Sequence, residues 1–241
     1  DLPSCFNSIA LYQRLRSLNP APFGAYLRLT DTEILSSSPE RFLTLDDRHV
    51  ESRPIKGTIH RAKDPVADQR LAEQLKNSDK DRAENTMIVD LMRNDLSRVC
   101  QPHSIKVPQF CGLETYENVH HLVSVIVGEL AAPYDALDLL KAAFPGGSIT
   151  GAPKIRAMEI IESLEPVRRG PYCGSAAWIG FDGRMDSSIL IRTYVIKDQK
   201  IYFQGGGAVV LDSDPQAEYQ ETLVKVAPLQ QALSGNDTDI R

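Results

Sequence analysis

The sequence predicts an α+β fold, because strand-like and helix-like segments come in blocks rather than in strict alternation. Residues 24–55 contain short apolar runs of strand length, and turn pairs such as Asp46-Asp47 separate them. Capped helical segments follow this block, and a second group of strands precedes one long final helix. These observations argue against a parallel sheet built from repeated βαβ units.

Turn and capping signals place the elements of the first part of the chain. Four strands are predicted in the first block, at residues 25–29, 33–35, 41–45 and 49–53. One helix is predicted to start at Asp64-Pro65. A second starts at Ser78, where Asp81 supplies the acidic third residue of a capping box, and runs to about residue 96.

The second part of the chain is predicted in the same way. Strands are expected at residues 121–130, 174–181, 187–196 and 200–203, and helices at residues 136–143 and 152–164. Asp182-Gly183 predicts a hairpin turn. The last helix starts at Ser213-Asp-Pro215 and runs to about residue 233, with a bend at Pro228. The chain is therefore expected to be one domain over residues 1–233, followed by a polar tail at 234–241.

Composition and charge exclude several classes of protein. With 42% hydrophobic and 24% charged residues, the chain resembles an ordinary globular protein. No apolar run approaches the roughly 18 residues of a membrane span. The net charge of −5 argues against nucleic-acid binding. The chain starts without Met or a signal pattern, which suggests a cut within a longer polypeptide. The widely spaced cysteines are typical of reduced thiols in a cytosolic protein: Cys5, Cys100, Cys111 and Cys173.

A carboxylate lies on the apolar side of the predicted helix that starts at Ser78. Met87, Ile88 and Leu91 form its apolar stripe, and Glu84 falls on the same stripe. A buried carboxylate is costly unless a partner neutralises it. A structural partner within the protein and a functional ligand are both open interpretations.

The last predicted helix carries Glu218, Glu221 and Lys225 on one face, an arrangement that is also common on exposed helices. If this face and Glu84 meet, their oxygen atoms suit a hard divalent cation, most naturally Mg²⁺. One sequence does not show that the two helices meet, so the metal site is a hypothesis.

Two glycine-rich segments could let the backbone approach a ligand. Residues 205–207 are three glycines that directly follow a predicted strand, although a tight turn is the alternative interpretation. Residues 145–154 open a predicted helix and include Ser148 and Thr150. Hydroxyls and amides at a helix N-terminus suit a carboxylate ligand.

Basic residues outside these segments are further candidates. Arg192 lies inside the predicted strand 187–196, where a guanidinium needs a carboxylate from the protein or from a ligand. Lys56 lies at a strand end, and an isolated lysine there is usually a solvated surface residue. His120 and His121 should face opposite sides of their strand. Motifs of serine hydrolases and zinc peptidases are absent from the sequence.

Several stretches are together far more specific than any one of them. They lie at residues 38–42, 53–58, 81–85, 88–95, 121–124, 144–154, 192, 205–207 and 218–222. In this order they resemble the chorismate-utilising enzymes, most closely the aminodeoxychorismate branch, over about residues 23–233. The resemblance implies a layered β-sheet sandwich with helices packed outside. Because family members are about twice as long, it also implies that this chain is the C-terminal part of the catalytic domain and that the fold is incomplete.

Lys56 distinguishes between branches of that family. Anthranilate synthases carry Ala at this position, whereas the aminodeoxychorismate enzymes carry Lys. The resemblance therefore implies conversion of chorismate and ammonia to 4-amino-4-deoxychorismate, on the route to p-aminobenzoate and folate, with ammonia from a glutamine amidotransferase partner. Anthranilate or isochorismate synthesis is the alternative within the family. A non-catalytic interaction or regulatory module is the alternative outside it.

The resemblance also implies roles for individual residues. Lys56 attacks the ring at C2, Glu40 donates a proton to the departing C4 hydroxyl, and His121 polarises or orients the substrate. The implied Mg²⁺ ligands are Glu84, Glu218 and Glu221. Substrate binding is assigned to Thr58, Ser148, Thr150, Tyr172, Arg192, Gly205, Gly206, Gly207 and Lys225.

Overall fold

The structure, a computed structural model, describes residues 2, 6–117, 119–211 and 213–235. The helices are α1 (Ser8–Leu18), α2 (Pro65–Lys76), α3 (Asp79–Leu96), α4 (Ala136–Ala143), α5 (Lys154–Leu164) and α6 (Pro215–Ser234). The strands are β1 (Phe23–Arg28), β2 (Thr32–Ser38), β3 (Arg41–Asp46), β4 (His49–Ser52), β5 (Ile55–His60), β6 (Lys106–Thr115), β7 (Val119–Glu129), β8 (Ser175–Ile179), β9 (Met185–Ile189), β10 (Thr193–Lys197) and β11 (Lys200–Phe203). The predicted α+β class is confirmed.

Residue contacts divide the chain into two units. The first unit comprises Asp1–Glu40, Arg169–Ala176 and Ser188–Arg241, and the second comprises Arg41–Arg168 and Ala177–Ser187. The prediction of one catalytic domain over residues 1–233 stays a prediction. In the described part of the chain, no helix combines the length and the apolar character that crossing a bilayer requires.

The first unit contains a four-stranded antiparallel sheet in the order β1-β2-β10-β11. Helices α1 and α6 pack with this sheet around a core in which every buried side chain is at most 1% exposed. Tyr194 from β10 is fully buried there, and its hydroxyl donates a hydrogen bond to the Leu229 carbonyl of α6. The Asn7 side chain caps α1 by accepting hydrogen bonds from the amides of Ile9 and Ala10. Helix α1 is not among the elements predicted from the sequence.

The second unit is built on a seven-stranded sheet in the order β5-β7-β4-β3-β9-β8, with β6 also paired to β7. Helix α3 packs against β5 and β7 through an apolar face that includes Ile88, Val89 and Met92. The Ser78 side chain caps α3 by accepting a hydrogen bond from the Asp81 amide, as the capping signal predicts. Asp64 caps α2 in the same way.

Most predicted elements are confirmed, with differences where the chain changes its pairing. Strands β5 and β6 are not among the elements predicted from the sequence. The single strand expected at residues 187–196 is wrong, since the chain leaves the ladder after Ile189 and enters β10 of the other sheet at Thr193. Helix α6 continues across Pro228 to Ser234. Residues 236–241 of the predicted tail lie outside the described residues.

The cysteines of the described residues are buried thiols, and no disulfide joins them: Cys100, Cys111 and Cys173. Burial raises the pKa of the Cys100 thiol to about 11. The prediction of buried cysteines is confirmed at these three positions. Cys5 lies outside the described residues.

Candidate active site

A β-bulge in the second unit determines the position of Lys56. Strand β5 pairs with β7, and the register shifts by one residue between Ile55 and Thr58. Gly57 has a φ of +85°, and a Cβ there would lie 2.9 Å from Leu75 Cδ1. Both the backbone angle and the limited space therefore favour glycine at this position. Bulges redirect side chains, and here the bulge contains the predicted nucleophile.

Lys56 contacts two other residues of the predicted site. Its Nζ donates a hydrogen bond of 3.3 Å to the Ser148 carbonyl and lies 3.9 Å from Glu84 Oε2. The side chains of Lys56 and Glu84 are only 16% and 9% exposed. Glu84 thus occupies the buried face of α3 that its spacing predicts. The alternative interpretation of Lys56 as a solvated surface lysine is wrong.

The segment at residues 145–154, which leads into α5, contacts helix α3 at two points. A Cβ at Gly147 would lie 3.0 Å from Leu91 Cδ2, so a larger residue there would displace the segment from the helix. Lys154 Nζ donates to Asp95 Oδ2 at 2.5 Å. The Thr150 hydroxyl donates to the Gly146 carbonyl at 2.9 Å and so stabilises the turn internally.

His121 and Thr58 lie directly opposite each other in the pairing of β5 with β7. Thr58 Oγ1 and His121 Nδ1 are 2.8 Å apart, within hydrogen-bond distance. The Tyr116 ring contacts His121 edge-on, with ring centroids 5.5 Å apart. The second unit therefore brings together two sets of predicted residues: Lys56 with Glu84 and Ser148, and Thr58 with His121.

His120 faces the other side of β7, as strand alternation predicts. It is 3% exposed, with Nδ1 at 2.9 Å from Thr115 Oγ1 and Nε2 at 3.1 Å from Asp68 Oδ1. Asp68 also accepts hydrogen bonds from Arg61 and from the Ala62 amide. The Arg61 guanidinium is the main reason that the pKa of Asp68 is lowered to about 2. This network is not predicted from the sequence, because its members are far apart in the chain.

In the first unit, Arg192 lies in the connection between β9 and β10 rather than in a strand, and it has a φ of +51°. Its carbonyl accepts a hydrogen bond from the Ser37 amide. Burial lowers the pKa of the guanidinium, and the Glu40 carboxylate opposes that shift. Glu40 itself is 8% exposed. A buried acid and a half-buried base of the predicted site therefore influence each other within this unit.

The three-glycine segment after β11 lies beside α6 and Tyr172. A Cβ at Gly206 would lie 3.3 Å from the Tyr172 hydroxyl. The Gly206 carbonyl accepts a hydrogen bond of 3.2 Å from Lys225 Nζ. A Cβ at Gly205 would clash with Val226. Glycine at these positions thus permits close approach to the helix.

Helix α6 carries Glu218, Glu221 and Lys225, the three residues that the sequence places on one helical face. Glu218 is 9% exposed, and its Oε1 accepts a hydrogen bond of 2.7 Å from Ser213. Glu221 Oε1 lies 2.6 Å from Lys225 Nζ on a more exposed part of the helix. A Cβ at Gly207 would lie 3.1 Å from Glu218 Oε2 and 4.0 Å from Glu221 Oε1, so a larger residue at this position would crowd the Glu218 carboxylate.

These carboxylates suit Mg²⁺ in their chemistry, since they offer hard oxygen donors. Over the described residues, neither unit by itself brings three His, Cys, Asp or Glu side chains together in a metal-binding group. Glu218 and Glu221 lie in the first unit and Glu84 in the second. The three-glutamate magnesium site stays a prediction.

Residues 1–231 match the chorismate binding enzyme family. The chain belongs to that family.

Individual relatives are similar over most of this chain. The chain is 56% identical over 215 residues to aminodeoxychorismate synthase component 1 of Salmonella typhimurium (strain LT2), covering 89% of this chain and 47% of the relative. It is 47% identical over 223 residues to anthranilate synthase component 1 of Aquifex aeolicus (strain VF5), covering 92% of this chain and 45% of the relative. The chain thus spans about half the length of the curated relatives it matches.

A solved structure supports the same fold. The crystal structure of anthranilate synthase component I from Streptococcus pneumoniae TIGR4 aligns with a TM-score of 0.82 at 38% sequence identity, covering 91% of this chain and 48% of that one. The fold predicted from the resemblance, that of the chorismate-utilising enzymes, is confirmed.

Proposed function

We propose that this chain is the catalytic part of an aminodeoxychorismate synthase component I, which converts chorismate and ammonia to 4-amino-4-deoxychorismate. The observation that carries the proposal is a shielded lysine amine, Lys56, held at a β-bulge between the Glu84 carboxylate and the Ser148 carbonyl. A lysine that serves as a nucleophile needs such a defined position. The 56% identity to a relative of that name supports the same assignment.

Lys56 acts as a transient nucleophile. Its neutral amine forms a bond to ring C2, both conjugated ring double bonds shift by one position, and the bond between C4 and its hydroxyl oxygen breaks. The hydroxyl departs as water after it takes a proton. Ammonia then bonds to C4 and loses a proton, and the shift of both double bonds back to their original positions breaks the bond between C2 and Lys56. The reaction thus regenerates the free amine.

Glu40 supplies the proton to the departing hydroxyl, because expulsion of hydroxide would be prohibitive. An acid in this role must carry its proton before the reaction. Glu40 is 8% exposed. His121, paired with Thr58, orients or polarises the substrate.

The substrate is a dianion, so this acidic protein must provide positive charge and hydrogen-bond donors locally. Arg192, the Tyr172 hydroxyl and the amides around Gly206 bind the enolpyruvyl carboxylate. Further contacts to chorismate come from Thr58, Ser148, Thr150 and Lys225.

The proposed metal ligands are Glu84, Glu218 and Glu221. When bound there, Mg²⁺ neutralises the ring carboxylate of chorismate. The protein contributes to the arrangement of these ligands: Ser213 fixes one oxygen of Glu218, and glycine at position 207 avoids a side chain that would crowd the other oxygen. Ammonia comes from a glutamine amidotransferase subunit, in keeping with the component 1 name of the relative.

Substitution of Lys56 by alanine tests the nucleophile. The full chain is incubated with chorismate, Mg²⁺ and ammonium, products are separated by chromatography, and adducts are detected by intact mass. Lys56→Ala should remove the adduct and slow amination by roughly 10³-fold or more, because the two-step route is lost. Lys200→Ala, which changes an exposed lysine, serves as the matched control and should react normally.

An adduct that persists in Lys56→Ala would show that another group is the nucleophile. The identity of the product tests the branch of the family. Since the Aquifex aeolicus relative is named an anthranilate synthase, anthranilate as the main product of the unmodified chain would replace the proposed reaction by that alternative.

The metal ligands are tested in the same assay by titration with Mg²⁺. Glu84→Gln and Glu221→Gln should each raise the Mg²⁺ concentration for half-maximal rate by at least about tenfold, because an amide binds the cation more weakly than a carboxylate. Asp90→Asn is the matched control, since Asp90 lies on α3 but is exposed and paired with Arg93. Unchanged metal dependence in a glutamate variant would remove that residue from the ligand set.

A further inference from the structure

Lys154, at the first position of α5, has all three of its N–H donors engaged. Its Nζ donates to Asp95 Oδ2 at 2.5 Å, to the Ala143 carbonyl at 2.9 Å and to the Pro145 carbonyl at 2.6 Å. The Lys154 side chain is 12% exposed and the Asp95 side chain is 0% exposed. A lysine ammonium has three donors and no acceptor, so these partners saturate it.

These contacts tie the segment before α5 to helix α3. Pro145 and Lys154 delimit that segment, and Asp95 belongs to the last turns of α3. The carbonyl that accepts the Lys56 hydrogen bond belongs to Ser148, within the same segment. Glu84, the other neighbour of Lys56, is on α3 as well. The two groups that contact the Lys56 amine are therefore both held by helix α3. Glu84 belongs to that helix, and Lys154 links the segment that contains Ser148 to it.

The Lys154–Asp95 ion pair places two opposite charges where little water reaches them. Burial raises the pKa of the Asp95 carboxyl, and the Lys154 ammonium acts against that shift. Removal of one member of such a pair leaves a buried charge without its partner. Arginine would not reproduce the contact, because its planar fork does not direct three donors from a single nitrogen to three converging acceptors.

We propose that Lys154 is a positioning residue, which holds the Ser148 carbonyl in place and thereby sets the position of the Lys56 amine. The functional meaning of this inference rests on the proposed role of Lys56 as a nucleophile. The geometric part does not, since it concerns contacts within the second unit alone. Loss of Lys154 should release the segment from α3 while Glu84 stays in place on the helix.

Chemical labelling of Lys56 tests the inference without substrate. The full chain is treated with trinitrobenzenesulfonate, and labelling of Lys56 relative to the exposed Lys200 is measured by peptide mass spectrometry. Lys154→Met should raise that ratio by at least about threefold, because release of the segment exposes the amine through local opening. Arg98→Met is the matched control: Arg98 is the other base near Asp95, at 3.6 Å, and is well exposed. It should leave the ratio unchanged.

A double variant separates positioning from stability. Lys154→Met with Asp95→Asn removes both charges, so its thermal midpoint should recover toward that of the unmodified chain. Its labelling ratio should stay raised, because the carbonyls of Ala143 and Pro145 still lack their donor. Cys100, buried in the same unit, should resist a thiol reagent in every variant, which shows that the unit remains folded.

An unchanged ratio in the folded double variant would overturn the positioning role. So would a ratio that rises only together with modification of Cys100, since the effect would then be unfolding. Because labelling requires no chorismate, failure of the proposed amination would leave this result intact, and the two failures are distinguishable.

Discussion

Each unit contains one Lys–Glu pair of the candidate site, and the two pairs are built differently. In the first unit, Lys225 and Glu221 are one helical turn apart on α6, with 2.6 Å between Nζ and Oε1 and side chains 37% and 49% exposed. In the second unit, Lys56 and Glu84 come from a strand and a helix. Their Nζ and Oε2 are 3.9 Å apart, and the side chains are 16% and 9% exposed. The shorter pair is thus the more hydrated one.

The comparison shows that distance alone does not rank two ion pairs. Water and salt screen the pair on α6, and an exposed pair at this spacing contributes only about 0.3–0.5 kcal/mol. Where water is largely excluded, loss of one partner costs about 3–5 kcal/mol. Lys56 keeps some exposure and a carbonyl partner at Ser148, so we expect a smaller value, about 1–3 kcal/mol.

Double-mutant cycles test this ranking of the two Lys–Glu pairs, and we expect them to show the largest effect on stability. One cycle combines Lys56→Met with Glu84→Gln, and the other combines Lys225→Met with Glu221→Gln. We expect coupling energies of about 1–3 kcal/mol for the first pair and below about 0.5 kcal/mol for the second. The measurement is urea denaturation of the full chain at neutral pH without added Mg²⁺. Equal coupling energies in the two cycles would contradict the argument from burial.

The same two pairs show which parts of the site the sequence predicts. Spacing within one helix is sufficient to place Glu84 on the buried face of α3 and to place Glu221 and Lys225 on one face of α6, because the helical period is fixed. Helix starts at Asp64-Pro65 and Ser78 follow from equally local capping chemistry. Local rules therefore recover much of the secondary structure and the orientation of these carboxylates.

Features that depend on contacts between distant segments escaped prediction. The β-bulge at Gly57 requires knowledge that β5 pairs with β7. The turn at Arg192 follows from the change of sheet between β9 and β10, whereas its apolar neighbours in the sequence suggested a continuous strand. Lys154 belongs to a recognisable motif, yet its pairing with Asp95 is visible only in three dimensions. Local periodicity carries no information about such pairings.

A third ion pair, between Arg61 and Asp68, is intermediate in exposure between the two Lys–Glu pairs. Arg61 Nη2 is 2.8 Å from Asp68 Oδ2, with side chains 37% and 13% exposed. The base is as exposed as Lys225, whereas the acid is nearly as shielded as Glu84. Asp68 also reaches His120 on β7 and thus helps to fix α2 to the strand that carries His121. The stability that the Asp68 carboxylate contributes should therefore depend on pH. The double-mutant cycles of the two Lys–Glu pairs, at neutral pH, do not test this.

The smallest expected effect is the loss, at low pH, of the stability that the Asp68 carboxylate contributes. The pKa of Asp68 is lowered from 3.8 to about 2, chiefly by its hydrogen bond with Arg61. Between these two values the unfolded chain binds more protons at this residue than the folded chain does, so the stability that Asp68 contributes rises with pH. It is fully present above pH 3.8 and is lost as the pH falls through about 2. Asp68→Asn removes the titrating group, so the difference in urea midpoint between this variant and the unmodified chain should shrink steadily from pH 5 to pH 2. A constant difference over that interval would mean that Asp68 acts through packing or neutral hydrogen bonds, and its place in the ranking by charge and burial would be lost.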